Sequence, residues 1–242
     1  MPDMTPRTRF SGSLAVALLL AGSATAADWS STNAQLLHGS GFELGLETRD
    51  ILTLEHASEW KYGSNFAFVD VTEPFGDATE LYGEWYTRLG LGKLAGRKPG
   101  TGLVRDVSVA AALNAGQGFR AYLAGTTVHL NVPHFTFVDV DVMAYDDRSD
   151  TDVTYIVTPA WEAAFPLGAV RLCLRGFVDV IGREGERDSQ VLAQPQVLVD
   201  LGPLWGNEGQ VMLGIEYQYW HNKFGIAGVT ESTPQAMVLW RF

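Results

Sequence analysis

Charged and aromatic side chains recur at every second position in several parts of the sequence. Four sets share one parity within a short segment: Tyr82, Glu84, Tyr86 and Arg88; Asp139, Asp141 and Tyr145; Arg171, Arg175 and Asp179; and Glu216, Gln218 and Trp220. Carboxylates accept hydrogen bonds from hydroxyl groups, guanidinium groups donate them, and aromatic faces stack on flat rings. Such sets suit the reversible binding of a small polar solute with a flat ring.

The residues that would be needed for catalysis or metal binding are not grouped in the sequence. The histidines are scattered without paired spacing, and His56 and His129 fit hydrogen-bonded strand residues better than ligands. Cys173 is the only cysteine, which excludes an internal disulfide and a thiolate metal cluster. No serine lies in a recognisable nucleophile motif, and Ser58 near His56 is a chance-level match. We therefore predict no enzyme activity, no cofactor and no metal site.

Apolar residues fill the alternate positions of the same segments. The neighbours of Arg171, Arg175 and Asp179 are an example: Val170, Leu172, Leu174, Val178 and Val180. A β-strand points successive side chains to opposite faces, so each segment is a strand with one apolar and one polar face. Pro159 and Pro195 fall inside predicted strands, where each should mark a bulge or a strand end.

About twelve such segments follow one another along the chain. They span approximately 29–38, 51–60, 64–72, 80–89, 103–113, 119–130, 134–146, 152–164, 169–182, 190–201, 210–222 and 234–242. Tight turns at 131–134 and 166–168 alternate with longer polar connections at 146–152, 182–189 and 222–233. The basic segment 90–102 departs from this scheme. An even strand count with such alternation predicts an all-β fold, a single closed antiparallel transmembrane barrel.

Alternation does not by itself say which face meets lipid, and a soluble barrel or sandwich is the alternative. The predicted strands run near ten residues, the length that a tilted membrane strand needs and longer than most soluble strands. A barrel of about twelve strands is also too wide for an apolar interior to be filled. Tryptophans near segment ends fit an interfacial girdle: Trp60, Trp85, Trp161, Trp205 and Trp240. These observations favour the membrane barrel.

The N-terminal residues 1–26 have the character of a secretory signal. Arg7 and Arg9 precede the short apolar run 14–21, and small residues at 24–26 fit a cleavage site, although a non-cleaved anchor is the alternative. We predict a signal peptide at 1–26 and one barrel domain at 27–242. The formal net charge of −11 argues against nucleic acid as a partner, because phosphate contacts need clustered basic residues.

Several stretches resemble the nucleoside-specific channel-forming family of Gram-negative outer membranes. They follow one another along nearly all of the predicted mature chain: LTLEHASEWKYGSNFAFVDV at 52–71, LYGEWYTRLGLGKL at 81–94, FRAYLAGTTVHLNVP at 119–133, GIEYQYWHNKFGI at 214–226 and VLWRF at 238–242. The resemblance implies a monomeric twelve-stranded barrel in the outer membrane, with a narrow lumen that passes nucleosides. It also implies that Phe42 stacks on a base and that Phe242 is presented to the barrel assembly machinery.

Together these features predict a channel for passive uptake of small polar solutes, with nucleosides expected. The predicted solute-binding positions in the lumen are Phe42, Tyr82, Glu84, Tyr86, Arg88, Asp139, Asp141, Arg171, Arg175, Asp179, Glu216 and Trp220. The same charged residues could instead form a structural ladder of paired charges. A non-conducting receptor or structural barrel and a barrel lipid hydrolase are the alternative functions.

Overall fold

The computed structural model describes residues 27–76, 79–150 and 152–242, so the predicted signal peptide lies outside the described residues. The strands are β1 Ala27–Ser40, β2 Thr48–Trp60, β3 Gly63–Thr72, β4 Glu80–Gly90, β5 Val104–Gly116, β6 Phe119–Leu130, β7 Phe135–Asp147, β8 Thr154–Leu167, β9 Val170–Ile181, β10 Gln190–Ala193, β11 Gln196–Asp200, β12 Val211–His221 and β13 Thr230–Arg241. One short helix, α1, spans Leu91–Leu94, and 3-10 turns span Gly202–Trp205 and Lys223–Gly225. Within these ranges no helix has the length and apolar character needed to cross a membrane.

All strands pair antiparallel with their neighbours, and β1 pairs with β13 to close the barrel. β10 and β11 keep one register against both β9 and β12, so they are two parts of one strand and the barrel has twelve. The break lies at Pro195, which has no N–H to donate. Gly176 on β9 accommodates it, since a Cβ at Gly176 would lie 2.6 Å from the Gln194 carbonyl oxygen. The predicted fold class and the expected effect of Pro195 are confirmed.

The alternating pattern places apolar side chains on the outside and polar side chains inside. Leu213, Ile215 and Tyr217 on β12 are exposed, whereas Glu216 and Gln218, at the alternate positions, are buried. Pro159 interrupts the pairing of β8 with β9 over two residues but leaves its pairing with β7 intact. The orientation of the strand faces therefore follows the sequence parity.

The connections divide into two sets, at the two ends of the barrel. The terminal rim carries the start of β1, the end of β13 and the connections 61–62, 91–103, 131–134, 168–169 and 201–210. The distal rim carries the connections 41–47, 73–79, 117–118, 148–153, 182–189 and 222–229. One predicted detail was wrong, because β13 begins at Thr230 rather than near 234. The connection 201–210, like 91–103, is long although it lies on the rim of mostly short turns.

Candidate functional site

One side of the lumen carries a row of aromatic rings, which we call the aromatic wall: Phe66 and Phe68 on β3, Tyr82 and Tyr86 on β4, and Phe119 on β6. Ring centroids are 6.3 Å apart for Phe66 and Tyr86, 6.0 Å for Phe68 and Tyr82, and 6.2 Å for Tyr82 and Phe119. The rings share the lumen because the β3–β4 register pairs Phe66 with Tyr86 and Asp70 with Tyr82. They form an apolar strip along a polar interior.

Glu84 gathers the polar groups of this wall. Its carboxylate accepts hydrogen bonds from the Tyr82 hydroxyl at 2.5 Å, the Tyr86 hydroxyl at 2.8 Å and Asn114 Nδ2 at 2.9 Å. Both tyrosine rings are thereby held at their hydroxyl ends. The ring faces, rather than the hydroxyl groups, are what this wall offers to a solute.

The other side of the lumen carries amide side chains around one carboxylate, and we call it the amide wall: Gln194, Gln196, Glu216, Gln218 and Gln235. Glu216 accepts hydrogen bonds from Gln196 Nε2 at 2.7 Å and Gln235 Nε2 at 2.9 Å. The strand register places these residues directly opposite one another, Gln196 against Glu216 and Glu216 against Gln235. Gln196 Oε1 and Gln235 Oε1 are buried and accept no hydrogen bond from the described residues, so this wall retains spare acceptors.

An ion pair between Arg175 and Glu55 joins the two sides across the lumen. Arg175 Nη2 donates to Glu55 Oε1 at 2.8 Å and to Oε2 at 2.7 Å, although the residues lie on β9 and β2. Asn33 and Gln35 also donate to Glu55, at 2.8 and 3.3 Å. This contact narrows the lumen in the middle of the barrel, since the side chains of Arg175 and Glu55 are each only 14% exposed.

A second charged contact lies against the aromatic wall. Arg88 Nη2 donates to Asp141 Oδ2 at 2.5 Å, and Arg88 Nε donates to Thr127 Oγ1 at 3.0 Å. Thr127 in turn donates to Asp141. The predicted charge ladder is therefore present at Arg88 and Asp141, which bind each other rather than standing free.

Other inward-facing carboxylates have no such counterion. Asp70, Glu84, Asp179 and Glu216 form no ion pair with any described basic residue. Their strongest contacts are with neutral donors, as in the 2.5 Å bonds from Thr53 Oγ1 to Asp70 and from Thr158 Oγ1 to Asp179. Asp179 lies within electrostatic range of Glu84, and Glu216 within range of Asp70. The middle of the lumen thus holds four acidic groups that lack a basic partner among the described residues.

The distal mouth is narrowed by the connection 41–47, which folds inward. Phe42 is 5% exposed and packs beside Gly39, where a Cβ would lie 3.3 Å from the Phe42 ring and 2.7 Å from Gln235 Cγ. The connection is held by the Glu43 N–H, which donates to Glu231 Oε2 at 2.8 Å, and by Thr233 Oγ1, which donates to the Gly41 carbonyl at 3.0 Å. Phe42 therefore lies inside the entrance.

Lys223 completes this mouth from the connection 222–229. Its Nζ donates to Glu231 Oε1 at 2.8 Å and Oε2 at 2.7 Å, and it lies 5.1 Å from the centre of the Trp220 ring and 5.9 Å from that of Phe42. Asn222 and Phe224 on either side of Lys223 both have positive φ, at 48° and 58°, an uncommon conformation for such residues. Burial lowers the pKa of Lys223, opposed by its bonds to Glu231.

The predicted residues divide into two groups by height in the barrel. Those near the middle or the distal mouth are Phe42, Tyr82, Glu84, Tyr86, Arg88, Asp141, Arg175, Asp179, Glu216 and Trp220. Asp139 and Arg171 also point inward but lie towards the terminal rim, where Asp139 contacts His129 at 2.8 Å and Arg171 donates to Glu208 at 2.6 Å. Those two residues are not assembled with the others.

Sequence reasoning missed much of both walls. The residues not anticipated are Glu55, Phe66, Phe68, Asp70, Phe119, Gln194, Gln196, Lys223, Glu231 and Gln235. Parity within 64–72 places Phe66, Phe68 and Asp70 on one face, and parity within 190–196 does the same for Gln194 and Gln196, whereas Glu55 joins the first group only through the register of β2 with β3. Lys223 and Glu231 had no such signal, because a loop brings Lys223 inward.

The side chains considered for catalysis do not come together. His56 Nδ1 hydrogen-bonds Thr32 Oγ1 at 2.8 Å, and His129 hydrogen-bonds Ser108 and Asp139, each at 2.8 Å. Both histidines are hydrogen-bonded strand residues, as predicted. Within the described ranges no three His, Cys, Asp or Glu side chains are grouped so as to hold a metal ion.

Comparison with solved structures finds a porin with a similar fold. The KdgM porin, solved alone and in complex with disordered oligogalacturonate, matches at a TM-score of 0.53 and 11% identity, covering 88% of this chain and 99% of the porin in both cases. The chain has a porin fold. The translocator domain of the autotransporter NalP from Neisseria meningitidis matches at a TM-score of 0.38 and 15% identity, covering 94% of this chain and 92% of the domain. No family model matches the sequence, and no curated protein matches it significantly.

Proposed function

We propose that the protein is an outer-membrane channel for passive uptake of small polar solutes, with nucleosides as the favoured class. The observation that carries this proposal is an aromatic wall opposite an amide wall inside a closed barrel. A nucleoside has a flat base for the first and a hydroxyl-rich sugar for the second. The apolar outer faces of the strands and the porin fold support the membrane location.

The two walls would act on different parts of the solute. Stacking on Phe66 and Tyr86 tolerates any base, because every base has a π-face. Gln194 is the member of the amide wall that is only partly buried, and its side-chain oxygen can accept hydrogen bonds from ribose hydroxyls. Each contact is modest, and several modest contacts in series allow the solute to enter and to leave.

The charge of the lumen would select against anions. In their ionised form, the unpaired carboxyl groups of Asp70, Glu84, Asp179 and Glu216 would give the middle of the lumen a negative potential, which repels phosphorylated solutes at low salt. We expect adenosine to pass better than AMP. The KdgM porin was solved with an oligogalacturonate, which is an anionic sugar chain, so the two lumens are expected to differ in charge preference.

Planar-bilayer conductance with added solutes tests the proposal. Adenosine should block the ionic current of the wild-type chain more strongly than glucose, and the Tyr86→Leu variant should lose most of that difference. Trp85→Leu is the matched control, because Trp85 is the next residue on β4 and lies on the outer face, 52% exposed. Equal block by adenosine and glucose in the wild type would favour a general pore and contradict the nucleoside preference.

A plugged barrel that does not conduct solutes is the second candidate. The Arg175–Glu55 pair crosses the lumen, and Phe42 and Lys223 fill the distal mouth, which is the arrangement expected of a plugged receptor or structural barrel. Liposome swelling distinguishes the two. Swelling with adenosine supports the channel, and no swelling with adenosine, glucose or AMP supports the plugged barrel.

A further inference from the structure

The connection 91–103 on the terminal rim differs in charge from the rest of the chain. Residues 91–105 contain Lys93, Arg97, Lys98 and Arg105 and no acidic residue, in a protein whose net charge is −11. Lys93 pairs with Glu59, and Arg105 approaches Asp139 at 3.9 Å. Arg97 and Lys98 are exposed and form no ion pair with any described residue, so two positive charges remain free.

Hydrogen bonds fix the shape of this connection. The Gly92 N–H donates to Asp106 Oδ1 at 2.9 Å, and the Gly100 N–H donates to the Arg105 carbonyl at 2.7 Å. Asn131 Nδ2, from the neighbouring turn on the same rim, donates to the carbonyl oxygens of Gly100 at 2.9 Å and Gly102 at 2.7 Å. A thirteen-residue loop that is tied at both ends presents Arg97 and Lys98 in a defined place.

Exposed apolar side chains flank the two free charges. The exposed fractions are 48% for Leu91, 52% for Leu94, 66% for Leu103 and 46% for Val104. Leu91 begins α1 two residues after the exposed Leu89 of β4, and Val104 pairs with Leu130 at the start of β5. The apolar outer face of the barrel therefore runs without interruption into this loop.

We propose that the loop 91–103 binds the headgroup of an anionic phospholipid at the terminal rim. Arg97 and Lys98 would contact the phosphate of the lipid, whose negative charge no headgroup cation offsets, while the exposed leucines lie against the acyl chains. An amphipathic surface with basic residues just outside an apolar one is the arrangement that binds anionic bilayers. The site does not depend on whether the lumen conducts.

Lipid binding to the folded full chain in detergent tests this directly. Native mass spectrometry during titration with dioleoyl-phosphatidylglycerol should show bound lipid at lower concentration than titration with dioleoyl-phosphatidylcholine. The double variant Arg97→Gln, Lys98→Gln should bind phosphatidylglycerol about 30-fold more weakly, the factor that two residues give at roughly 1 kcal/mol each. Its binding of phosphatidylcholine should not change.

Two further variants make the result specific to the loop. Lys61→Gln removes an exposed charge from the turn 61–62 on the same rim and should leave phosphatidylglycerol binding at the wild-type level. The double variant Leu91→Ser, Leu94→Ser should weaken the binding of both lipids, because it removes the apolar part of the surface. Unchanged phosphatidylglycerol binding in the Arg97, Lys98 variant would overturn the proposal, as would an equal loss in Lys61→Gln. Circular dichroism confirms that each variant keeps its β structure.

Discussion

The two walls of the lumen differ in how firmly their polar groups are held. On the aromatic wall, hydrogen bonds converge on Glu84 and leave ring faces as the surface. On the amide wall, Gln194 Nε2 donates to both Glu216 and Gln218, and the Gln194 side chain is only partly buried. One wall would recognise shape and the other would recognise hydroxyl groups, so neither alone would select a nucleoside.

The walls also differ in what they are connected to. The amide wall continues to the distal mouth, since Gln218 donates to Glu231, which holds both Lys223 and the connection 41–47. The aromatic wall has no comparable link among the described residues. A substitution on the amide wall can therefore alter the conformation of the distal mouth. A substitution on the aromatic wall should change only the binding of the solute.

The largest effect is expected where the two walls are joined. Arg175→Ala should lower the free energy of unfolding by about 3–5 kcal/mol, because it leaves Glu55 buried without its counterion. It should also raise the single-channel conductance by removing the cross-lumen contact. The double variant Glu55→Gln, Arg175→Gln should recover most of the stability, measured by urea unfolding in lipid vesicles. An Arg175→Ala variant as stable as wild type would show that the walls are not coupled.

A smaller effect is expected at the mouth, where Glu231 keeps the hydrogen bonds from the Glu43 N–H and Gln218 Nε2 when Lys223 is replaced. Lys223→Met leaves Glu231 without its counterion and should release the connection 41–47. We expect greater fluctuation of the open-channel current and a loss of stability of about 1–3 kcal/mol, the cost of an unsatisfied buried group. Lys61→Met, on the terminal rim, is the matched control and should change neither. Current fluctuations at the wild-type level in Lys223→Met would argue that Lys223 does not hold the mouth.

The comparison of walls becomes sharper when two solutes are used. Phe66→Leu should weaken adenosine block by about 1–3 kcal/mol, the usual value of one stacked base, and leave block by free ribose unchanged. Gln194→Leu should weaken block by adenosine and by ribose, each by about 0.5–1.5 kcal/mol, the net value of one hydrogen bond. The four block constants, for two variants with two solutes each, are measured in planar bilayers. If both variants reduced adenosine and ribose equally, the division of labour between the walls would be wrong.

The sequence determined the barrel more completely than it determined the site. Alternation fixes which face of a strand is polar, and so Tyr86, Glu84 and Asp141 were correctly placed inside. It does not fix the stagger between distant strands, which decides that Arg175 meets Glu55 across the lumen while Arg171 stays at the rim with Glu208. Pairings within neighbouring strands are thus readable from parity, and pairings across the barrel require the three-dimensional register.

The most local effect is expected on the distal rim, in the connection 182–189. Burial raises the pKa of Glu184 from its ordinary value of 4.5 to about 7, in a setting shared with Asp147, Asp150 and Arg187. The folded loop therefore holds a proton that the opened loop releases, so its stability falls as the pH rises from about 4.5 through about 7. Hydrogen exchange of 182–189, corrected for the intrinsic rate, should show more frequent opening at pH 8 than at pH 5. Glu184→Gln stays neutral and should abolish that difference, whereas Glu186→Gln, an exposed neighbour, should retain it; pH dependence that persists in Glu184→Gln would assign the effect to another group.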